Sequence, residues 1–185
     1  MEKKTKVIKT AIENQEEEKK LTKESIQASA NEQTFDPKLK PIFFYKTKDP
    51  YGYFSNFYPS PINIDGKVWP TTEHFFQAMK FPEKPEYQEK LRANKNPAIA
   101  FRMGRGKGLR EDWASVKNEV MERALLAKFT QNNELRSKLM ETGEALLVEH
   151  TKRDNYWGDG GDGGDGSAGR NNLGKMLCKL RHQFR

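Results

Sequence analysis

A helix predicted to begin after Pro70 brings three polar side chains of different chemistry into one stripe. Thr71 is a favourable residue for the N-cap of this helix. Each helical residue turns by about 100°, so Glu73, Gln77 and Lys80 fall on one face. An acid, an amide and an amine on one face suit general acid–base or nucleophilic chemistry. The spacing also allows a plain alternative, because the first turn of any helix favours an acid and a lysine is common on a solvated face.

The opposite face of the same helix is apolar. Phe75, Ala78 and Met79 lie there, and we expect them to anchor the helix in a core. Pro82 and Pro85 follow and are expected to end the helix. The pattern therefore predicts a helix that packs with one side and presents its polar stripe to a cleft with the other.

Two further candidates follow a strand predicted over residues 145–149. Asp154 and Trp157 lie just beyond its end, where active residues are often found. Both are therefore candidates for a site. Trp157 could form a wall of the site and stack against a base or a ribose.

A basic loop over residues 104–110 is a candidate for phosphate binding. Its three glycines alternate with Arg105 and Lys107 and precede Arg110, and backbone N–H groups of such loops can hold anions. The spacing is not that of the Walker motif, so the loop alone is a weak signal. Trp113 follows and suits either a core position or a stacking surface.

A second glycine-rich loop, residues 158–169, leads into the last predicted helix. Gly158 opens this Gly-Asp repeat, and Asn171 or Asn172 caps the helix. A glycine loop that precedes a helix N-terminus is a natural anion site, and Arg170 adds a cation beside it. We therefore expect Gly158, Arg170 and Asn172 to contact the substrate.

Residues 51–59 include five aromatic side chains on a segment too rich in Gly, Ser, Asn and Pro for a regular element. Phe54 and Phe57 are expected to fill the core. Ser55 and Asn56 are candidates to donate hydrogen bonds to a ligand.

The remaining elements form the frame that must position these residues. Hydrophobic periodicity and turn residues predict them. In chain order they are a central strand over residues 42–45, a hairpin over 63–68 that turns at Asp65-Gly66, and helices over 86–94, 116–129, 134–141 and 173–184.

Composition limits the class of protein. The chain has 185 residues and a formal net charge of +7, which favours contact with phosphates or nucleic acid but is also common in plain soluble proteins. Cys178 is the one cysteine, so an intramolecular disulfide is impossible and a reducing compartment is expected.

No apolar run approaches the ~20 residues of a spanning helix, and no signal peptide is recognisable. We expect a cytoplasmic protein without membrane association. His74, His150 and His182 are isolated, so neither a metal site nor a cofactor is predicted.

Residues 1–40 differ in composition from the rest. They contain Phe35 as their one aromatic residue and a dense mixture of Lys, Glu, Gln and Ser. Such a segment cannot bury enough apolar area to offset the entropy of ordering. We predict a disordered tail over residues 1–40 and a single domain over residues 41–185.

Several short motifs follow one another from residue 42 to the C-terminus. They are Phe54-Ser55-Asn56-Phe57, Trp69-Pro70-Thr71 with Glu73-His74 and Phe76-Gln77-Ala78, Lys80-Phe81, Gly104-Arg105, Asp112-Trp113, Thr142-Gly143, Asp154 with Trp157-Gly158, and Asn172-Leu173-Gly174-Lys175-Met176-Leu177. In this order they resemble the NADAR family, also named for the bacterial YbiA proteins, and eight ordered motifs are far more specific than any one of them. The Gly-Asp repeat between Trp157 and Asn172 looks longer than is usual in that family.

The resemblance implies a compact, mostly helical α+β domain around a small β-sheet, and the cleavage of N-glycosidic bonds. Two substrate classes are associated with the family: phosphorylated ribosylamino-pyrimidine intermediates of riboflavin synthesis, and ADP-ribose attached to guanine in nucleic acid. An ADP-ribosylated nucleic acid would then be a partner. The oligomeric state stays open.

The resemblance also implies site residues. Family active residues correspond to Glu73, Trp113, Asp154 and Trp157, with Lys80 as a further member. Glu73 and Asp154 are the pair of acids expected to assist cleavage of the C–N bond. Lys80 could instead attack ribose C1 and form an imine. The alternative function is a non-catalytic module that binds ADP-ribose or single-stranded nucleic acid.

Overall fold

The computed structural model describes residues 34–161 and 169–185. Within them, six α-helices and four short strands form a mostly helical α+β domain, which confirms the predicted fold class. None of the described helices is long and apolar enough to cross a membrane. The elements are β1 (Ile42–Phe44), β2 (Ile62–Ile64), β3 (Lys67–Trp69), α1 (Thr72–Ala78), α2 (Pro85–Ala93), α3 (Pro97–Met103), α4 (Trp113–Thr130), α5 (Asn133–Glu141), β4 (Leu147–Glu149) and α6 (Asn172–Gln183).

The four strands form two separate pairs. β1 and β4 are parallel, with Ile42 opposite Leu147, and β2 and β3 form an antiparallel hairpin. Asp65 and Gly66 have φ angles of 53° and 74°, as expected for the tight turn of a hairpin, so this prediction is confirmed. The strand predicted over residues 42–45 is present as β1, but the prediction that it is central is wrong, because β1 has one partner strand among the described residues.

Two apolar clusters meet along α1 and α4. Phe76 belongs to the larger cluster together with Leu125 and Leu147. Phe75 points into the smaller cluster, where it packs edge-on against Trp69 at 5.5 Å between ring centroids. All seven residues of α1 are therefore buried, on both faces of the helix. Glu73 and Gln77 of the polar stripe are thus enclosed, whereas Lys80, just beyond the helix, is half-buried, so the stripe is less open than the expected cleft-facing side of a helix.

Three local predictions differ from the structure. Pro85 does not end a helix but is the first residue of α2, a position where the missing N–H costs nothing. The sequence analysis did not predict α3, which begins at Pro97 after the N-cap Asn96. Phe57 is half-buried and lies outside both clusters, whereas Phe54 is fully buried as expected.

The predicted tail over residues 1–40 lies mostly outside the described residues, as does most of the Gly-Asp repeat. The first described residues nevertheless contact the domain. The buried guanidinium of Arg181 donates to the carbonyl of Thr34 at 3.2 Å, and Phe35 packs against the larger cluster. The segment from residue 34 onward thus differs from the expected tail in being packed on the domain.

Candidate active site

The start of α1 fixes the position of Glu73. The backbone N–H of His74 donates to Thr71 Oγ1 at 3.3 Å, which is the N-cap bond that the sequence predicts. The backbone N–H of Glu73 donates to the carbonyl of Asn56 at 3.1 Å. Thr72 Oγ1 donates to Oδ1 of Asn56 at 3.0 Å. Asn56 thus holds the first turn of α1, and Glu73 with it.

Glu73 is a buried carboxyl group with one side-chain hydrogen bond among the described residues. The residue is 5% exposed, and Gln77 Nε2 donates to its Oε1 at 2.7 Å. Burial raises the pKa of Glu73 to about 7. The hydrogen bond from Gln77 and the charge of Lys80 oppose this rise, and the charge of Asp154 adds to it. Glu73 can therefore exchange a proton near neutral pH, as a general acid or base must.

Lys80 lies just beyond the end of α1 and is half-buried. Its Nζ donates to the carbonyl of Gly104 at 3.3 Å. The same atom lies 5.7 Å from the ring centroid of Phe76 and 5.5 Å from that of Trp113. Burial lowers the pKa of Lys80, and the nearby Glu73 opposes this change. A lowered pKa makes the amine a better nucleophile near neutral pH.

Phe76 joins the two tryptophans of the predicted site. Its ring centroid lies 4.9 Å from that of Trp113 and 5.4 Å from that of Trp157, both in edge-to-face contacts. Both tryptophans are half-buried, so each keeps part of its surface open. The sequence analysis did not select Phe76, because an apolar residue in a helix gives no chemical signal. The structure thus gathers both tryptophans around the helix that contains Glu73.

Asp154 shapes the turn that presents Trp157. Asp154 Oδ1 accepts the backbone N–H groups of Tyr156 and Trp157, both at 2.8 Å. Gly158 follows, and a Cβ there would lie 2.7 Å from the carbonyl oxygen of Glu149 and 2.9 Å from that of Asp154. Glycine is therefore needed for the chain to fold back this closely. Gly158 acts through its backbone at the site.

Glu149 is a site residue that the sequence analysis missed. It is the last residue of β4 and shares a strand face with the fully buried Leu147. Burial raises the pKa of Glu149 to about 8. The charges of Asp154, Glu73 and Asp159 add to this rise. The Glu149 carboxyl group forms no hydrogen bond or ion pair with any described residue. Its place at the end of the strand before the loop of Asp154 is a weak signal by itself, because many strands end in a charged residue.

Asn171 occupies the N-cap position of α6 but does not cap it. Its φ is 47°, and its side chain makes no bond to the first turn of the helix. Instead, Oδ1 accepts the backbone N–H of Glu149 at 3.1 Å and Nδ2 donates to the carbonyl of Leu147 at 2.8 Å. The expectation of a capping bond from Asn171 is therefore wrong, because this side chain pairs with the edge of β4.

The predicted substrate-binding cations lie next to different parts of the site. After burial and the opposing effect of Glu73, the charge of Arg105 also lowers the pKa of Lys80, so Arg105 is close to that amine. Arg170 is exposed and its guanidinium lies 5.3 Å from the ring of Tyr156. The backbone N–H of Asn172 donates to the carbonyl of Tyr156 at 3.2 Å. Arg170 and Asn172 thus border the turn of Asp154, and their contacts to a phosphate stay a prediction.

Ser55 and Asn56 make their hydrogen bonds within the protein. Ser55 Oγ accepts the backbone N–H of Phe57 at 3.3 Å, and the Ser55 carbonyl accepts Lys128 Nζ at 3.0 Å. Asn56 Nδ2 donates to the sulfur of Met121 at 3.4 Å. These contacts support α1, and a ligand contact for either residue stays a prediction. Among the described residues, no three His, Cys, Asp or Glu side chains are grouped so that they could hold a metal ion.

Together, the fold and the site define a small α+β domain in which the buried carboxyl group of Glu73 and the half-buried one of Glu149, both with a raised pKa, accompany two half-buried tryptophans. The sequence model of the NADAR domain family matches residues 43–185 of this chain. The chain therefore belongs to the NADAR family, as its motifs predict.

Individual relatives agree with this membership. The chain is 54% identical over 145 residues to N-glycosidase YbiA of Escherichia coli (strain K12), covering 77% of this chain and 88% of that protein. It is 40% identical over 148 residues to an N-glycosidase of Nostoc punctiforme, covering 78% and 92%. A riboflavin biosynthesis protein of Vibrio vulnificus is 40% identical over 147 residues, covering 78% of this chain and 39% of that protein.

A solved structure has the same fold. The NMR structure of the E. coli protein YbiA matches with a TM-score of 0.70 and 48% identity. The match covers 82% of this chain and 92% of that chain.

Proposed function

We propose that the Glu73 site hydrolyses the bond between ribose C1 and a nitrogen, in a substrate that also has a phosphate. Two substrates meet this description: ADP-ribosylated guanine, and a phosphorylated ribosylamino-pyrimidine intermediate of riboflavin synthesis. At the coarser level the chain is a hydrolase acting on N-glycosyl compounds, since it belongs to the NADAR family and its close relatives are named N-glycosidases. The riboflavin-related substrate has the support of the Vibrio vulnificus relative's name.

One observation supports this activity most directly. Glu73 is almost fully buried, has a pKa of about 7 and is held in one orientation by Gln77. A carboxyl group that changes protonation near neutral pH suits the proton transfers that accompany the cleavage of a C–N bond. In a module that only binds, such a group would lower the free energy of unfolding, because its burial is costly, and it would bring no specificity in return.

The reaction places charge on both sides of the broken bond. Positive charge develops on the ribose and negative charge on the leaving nitrogen. The Glu73 carboxylate takes the proton of the water that attacks C1, and the charge of Asp154 supports the cationic ribose. Trp113 and Trp157 stack against the base or the ribose. Arg105 and Arg170 contact phosphate oxygens.

Lys80 offers a second route through a covalent intermediate. Its amine would attack C1 and form an imine after the ribose ring opens, with the leaving nitrogen taking up a proton. The lowered pKa of Lys80 favours this role. Borohydride would reduce the imine to a stable adduct. An adduct detected by mass spectrometry in the wild type and absent from Lys80→Ala would assign the covalent route, and no adduct at full turnover would assign direct attack by water.

The activity is tested by mass spectrometry on purified protein. An ADP-ribosyl-guanine oligonucleotide and a ribosylamino-uracil phosphate are offered side by side, with Glu73→Gln as the control variant. Release of ADP-ribose alone identifies a nucleic-acid-directed enzyme, and release of ribose phosphate alone identifies a metabolite-directed one. Turnover that persists unchanged in folded Glu73→Gln would overturn the assignment of Glu73. Tight binding of either substrate without turnover would overturn the hydrolysis itself.

A further inference from the structure

Glu149 lies at the end of β4, close to the other acids of the site. Side chains alternate along a strand, so Glu149 points to the same side of β4 as Leu147. Leu147 is fully buried in the cluster that also contains Phe76, the residue between the two tryptophans. The charges of Glu73 and Asp154 both act on the Glu149 carboxyl group, so Glu149 lies near both acids.

The loop after β4 holds the Glu149 backbone beside Asp154. The backbone N–H of Asp159 donates to the carbonyl of Glu149 at 3.0 Å, and that of Gly160 donates to the carbonyl of Asp154 at 3.2 Å. Gly158 lies against both carbonyl oxygens. On its other edge, Glu149 is bonded through its N–H to Asn171. Glu149 is thus fixed by backbone contacts on two sides while its carboxyl group stays without a partner among the described residues.

The side-chain amide of Gln77 is a second, independent indication that a ligand group binds beside Glu73. Gln77 is 3% exposed, and its Nε2 is engaged with Glu73. Its Oε1 is buried and accepts no hydrogen bond from any described residue. A buried amide oxygen without a donor destabilises the folded state. Such an atom, next to Glu73, suits a ligand that brings a hydroxyl or N–H donor.

We propose that Glu149 donates the proton that the leaving nitrogen takes up when the C1–N bond breaks, an inference that rests on the hydrolase function proposed above. The electron pair of the C1–N bond goes to the nitrogen, which takes the proton from the Glu149 carboxyl group. The oxygen of water bonds to C1, and its proton goes to the Glu73 carboxylate. The proton then returns from Glu73 to Glu149, so the cycle consumes one water and changes no net proton count.

Asp154 is less suited to this role than Glu149. Oδ1 of Asp154 is occupied by the N–H groups of Tyr156 and Trp157, whereas the Glu149 carboxyl group is unoccupied by described residues. Burial raises the pKa of Glu149 to about 8 and that of Glu73 to about 7, so the pair holds one proton between these two values.

Charged groups from three parts of the chain act on this pair. Asp154 and Asp159 of the loop after β4 raise the pKa of Glu149 beyond the effect of burial, as does Glu73 of α1. Lys80, just beyond α1, opposes the rise for Glu73. An acid and a base in one site, each matched to neutral pH, fit a reaction that needs both.

The test compares the pH dependence of kcat/KM for wild type and Glu149→Gln. The substrate is the ADP-ribosyl-guanine oligonucleotide or the ribosylamino-uracil phosphate, whichever the wild type cleaves in the first assay. The wild type is expected to lose activity above about pH 8, where Glu149 ionises. Glu149→Gln is expected to lose this alkaline limb and to be about a hundredfold slower at pH 7.5, the usual size of a proton-donor effect. Glu141→Gln removes an exposed glutamate of α5 and is the matched control, which should keep the wild-type profile.

A second substrate separates proton donation from positioning. A phosphorylated nicotinamide riboside has a leaving nitrogen that is already cationic and needs no proton. Glu149→Gln should cleave it at close to the wild-type rate. Equal losses on both substrates, or an alkaline limb that persists in Glu149→Gln, would overturn the role of Glu149. If the wild type does not cleave the nicotinamide riboside, the pH profile alone tests the role of Glu149. An alkaline limb that persists in Glu149→Gln would then overturn that role.

Two further results keep the test decisive. If circular dichroism finds Glu149→Gln unfolded, Glu149→Asp replaces it, because it keeps the acid and must keep the alkaline limb. Loss of the limb in folded Glu149→Asp would overturn the inference. A wild type that cleaves no N-ribosyl substrate at any pH would overturn the proposed function instead, which the first assay reveals before any variant is made.

Discussion

The carboxyl groups of Asp159, Glu73 and Glu149 differ in how many hydrogen-bond donors they have; the first two are buried and the third is half-buried. Asp159 is fully buried and saturated with donors: its Oδ1 accepts Thr151 N–H at 3.0 Å and Gly161 N–H at 2.9 Å, and its Oδ2 lies 2.7 Å from Nδ1 of His150. Glu73 has one donor, Gln77, and Glu149 has none among the described residues.

The difference between these groups separates structure from chemistry. A buried carboxylate with a full set of donors acts as a cross-link and gains nothing from a proton. A carboxyl group that is removed from water and short of donors keeps its proton to a higher pH, as Glu73 and Glu149 do. Burial alone therefore does not mark a functional residue, and it is the shortage of donors that distinguishes Glu73 and Glu149 from Asp159.

The largest loss of activity should come from removing the carboxyl group of Glu73, whose one donor among the described residues is Gln77. Glu73→Gln keeps the shape and the bond to Gln77 but can no longer exchange a proton, so we expect kcat/KM to fall about a thousandfold. The free energy of unfolding in urea should stay equal or rise, since an incompletely paired buried acid is removed. A variant that unfolds and loses activity together would place Glu73 in the same class as Asp159.

The saturated carboxylate should show the reverse pattern. Asp159→Ala leaves the N–H groups of Thr151 and Gly161 without their acceptor, and we expect the free energy of unfolding to fall by about 3 kcal/mol. Urea denaturation measures this loss. His150→Gln removes only the partner on the half-exposed side and should cost less than half as much. Full stability in Asp159→Ala would contradict the role of a cross-link.

Lys128 extends the comparison to a buried cation outside the catalytic set. It is 1% exposed, and its Nζ donates to the carbonyl of Ser55 with no acid in contact among the described residues. Burial lowers the pKa of Lys128 from 10.5 to about 7. Between these values the unfolded chain binds the proton and the folded domain does not, so this residue makes stability rise with pH across that window and its penalty is largest below about pH 7.

Lys128→Met should therefore be more stabilising at pH 6 than at pH 9. We expect a difference of about 2 kcal/mol between the two gains, measured by urea denaturation. Lys90→Met, at an exposed lysine of α2, should give the same result at both pH values. A pH-independent result for Lys128→Met would mean that Lys128 is solvated more fully than its burial indicates.

The smallest effect should come from disturbing the one donor of Glu73. A Cβ added at Gly104 would overlap Oε1 of Gln77, so Gly104→Ala should push the amide away from Glu73. We expect the pKa of Glu73 to rise, the acid limb of kcat/KM to shift to higher pH, and the rate to fall about tenfold, or about 1.4 kcal/mol. Gln77→Ala should reproduce this result, and the double variant should be no slower than either. Additive losses would separate Gly104 from the Gln77–Glu73 pair.

The part of the site on α1 could be predicted because its signals are local. Glu73, Gln77 and Lys80 follow the cap residue Thr71 at helical spacing, and both the cap and the helix are present. The solvent exposure of this stripe could not be predicted from the spacing. It depends on the segments that cover α1, which include the loop of Asn56, 16 residues before Thr72 in the chain. Glu149 was missed for the same reason, because a glutamate at the end of a strand is ordinary until its surroundings are known.

Sequence by itself determined the family, through its ordered motifs. It also determined the hairpin at Asp65-Gly66 and the helix over residues 134–141, because turns and helix ends depend on neighbouring residues. Only the tertiary structure decided which acids keep a proton. That property depends on how many donors reach each carboxyl group and on how far the group is removed from water, and both are set only when the chain is folded. The side chain of Asn171, 22 residues after Glu149 in the chain, accepts the backbone N–H of Glu149 and not a bond from its carboxyl group. The carboxylate of Asp159, in contrast, accepts N–H groups of its own loop.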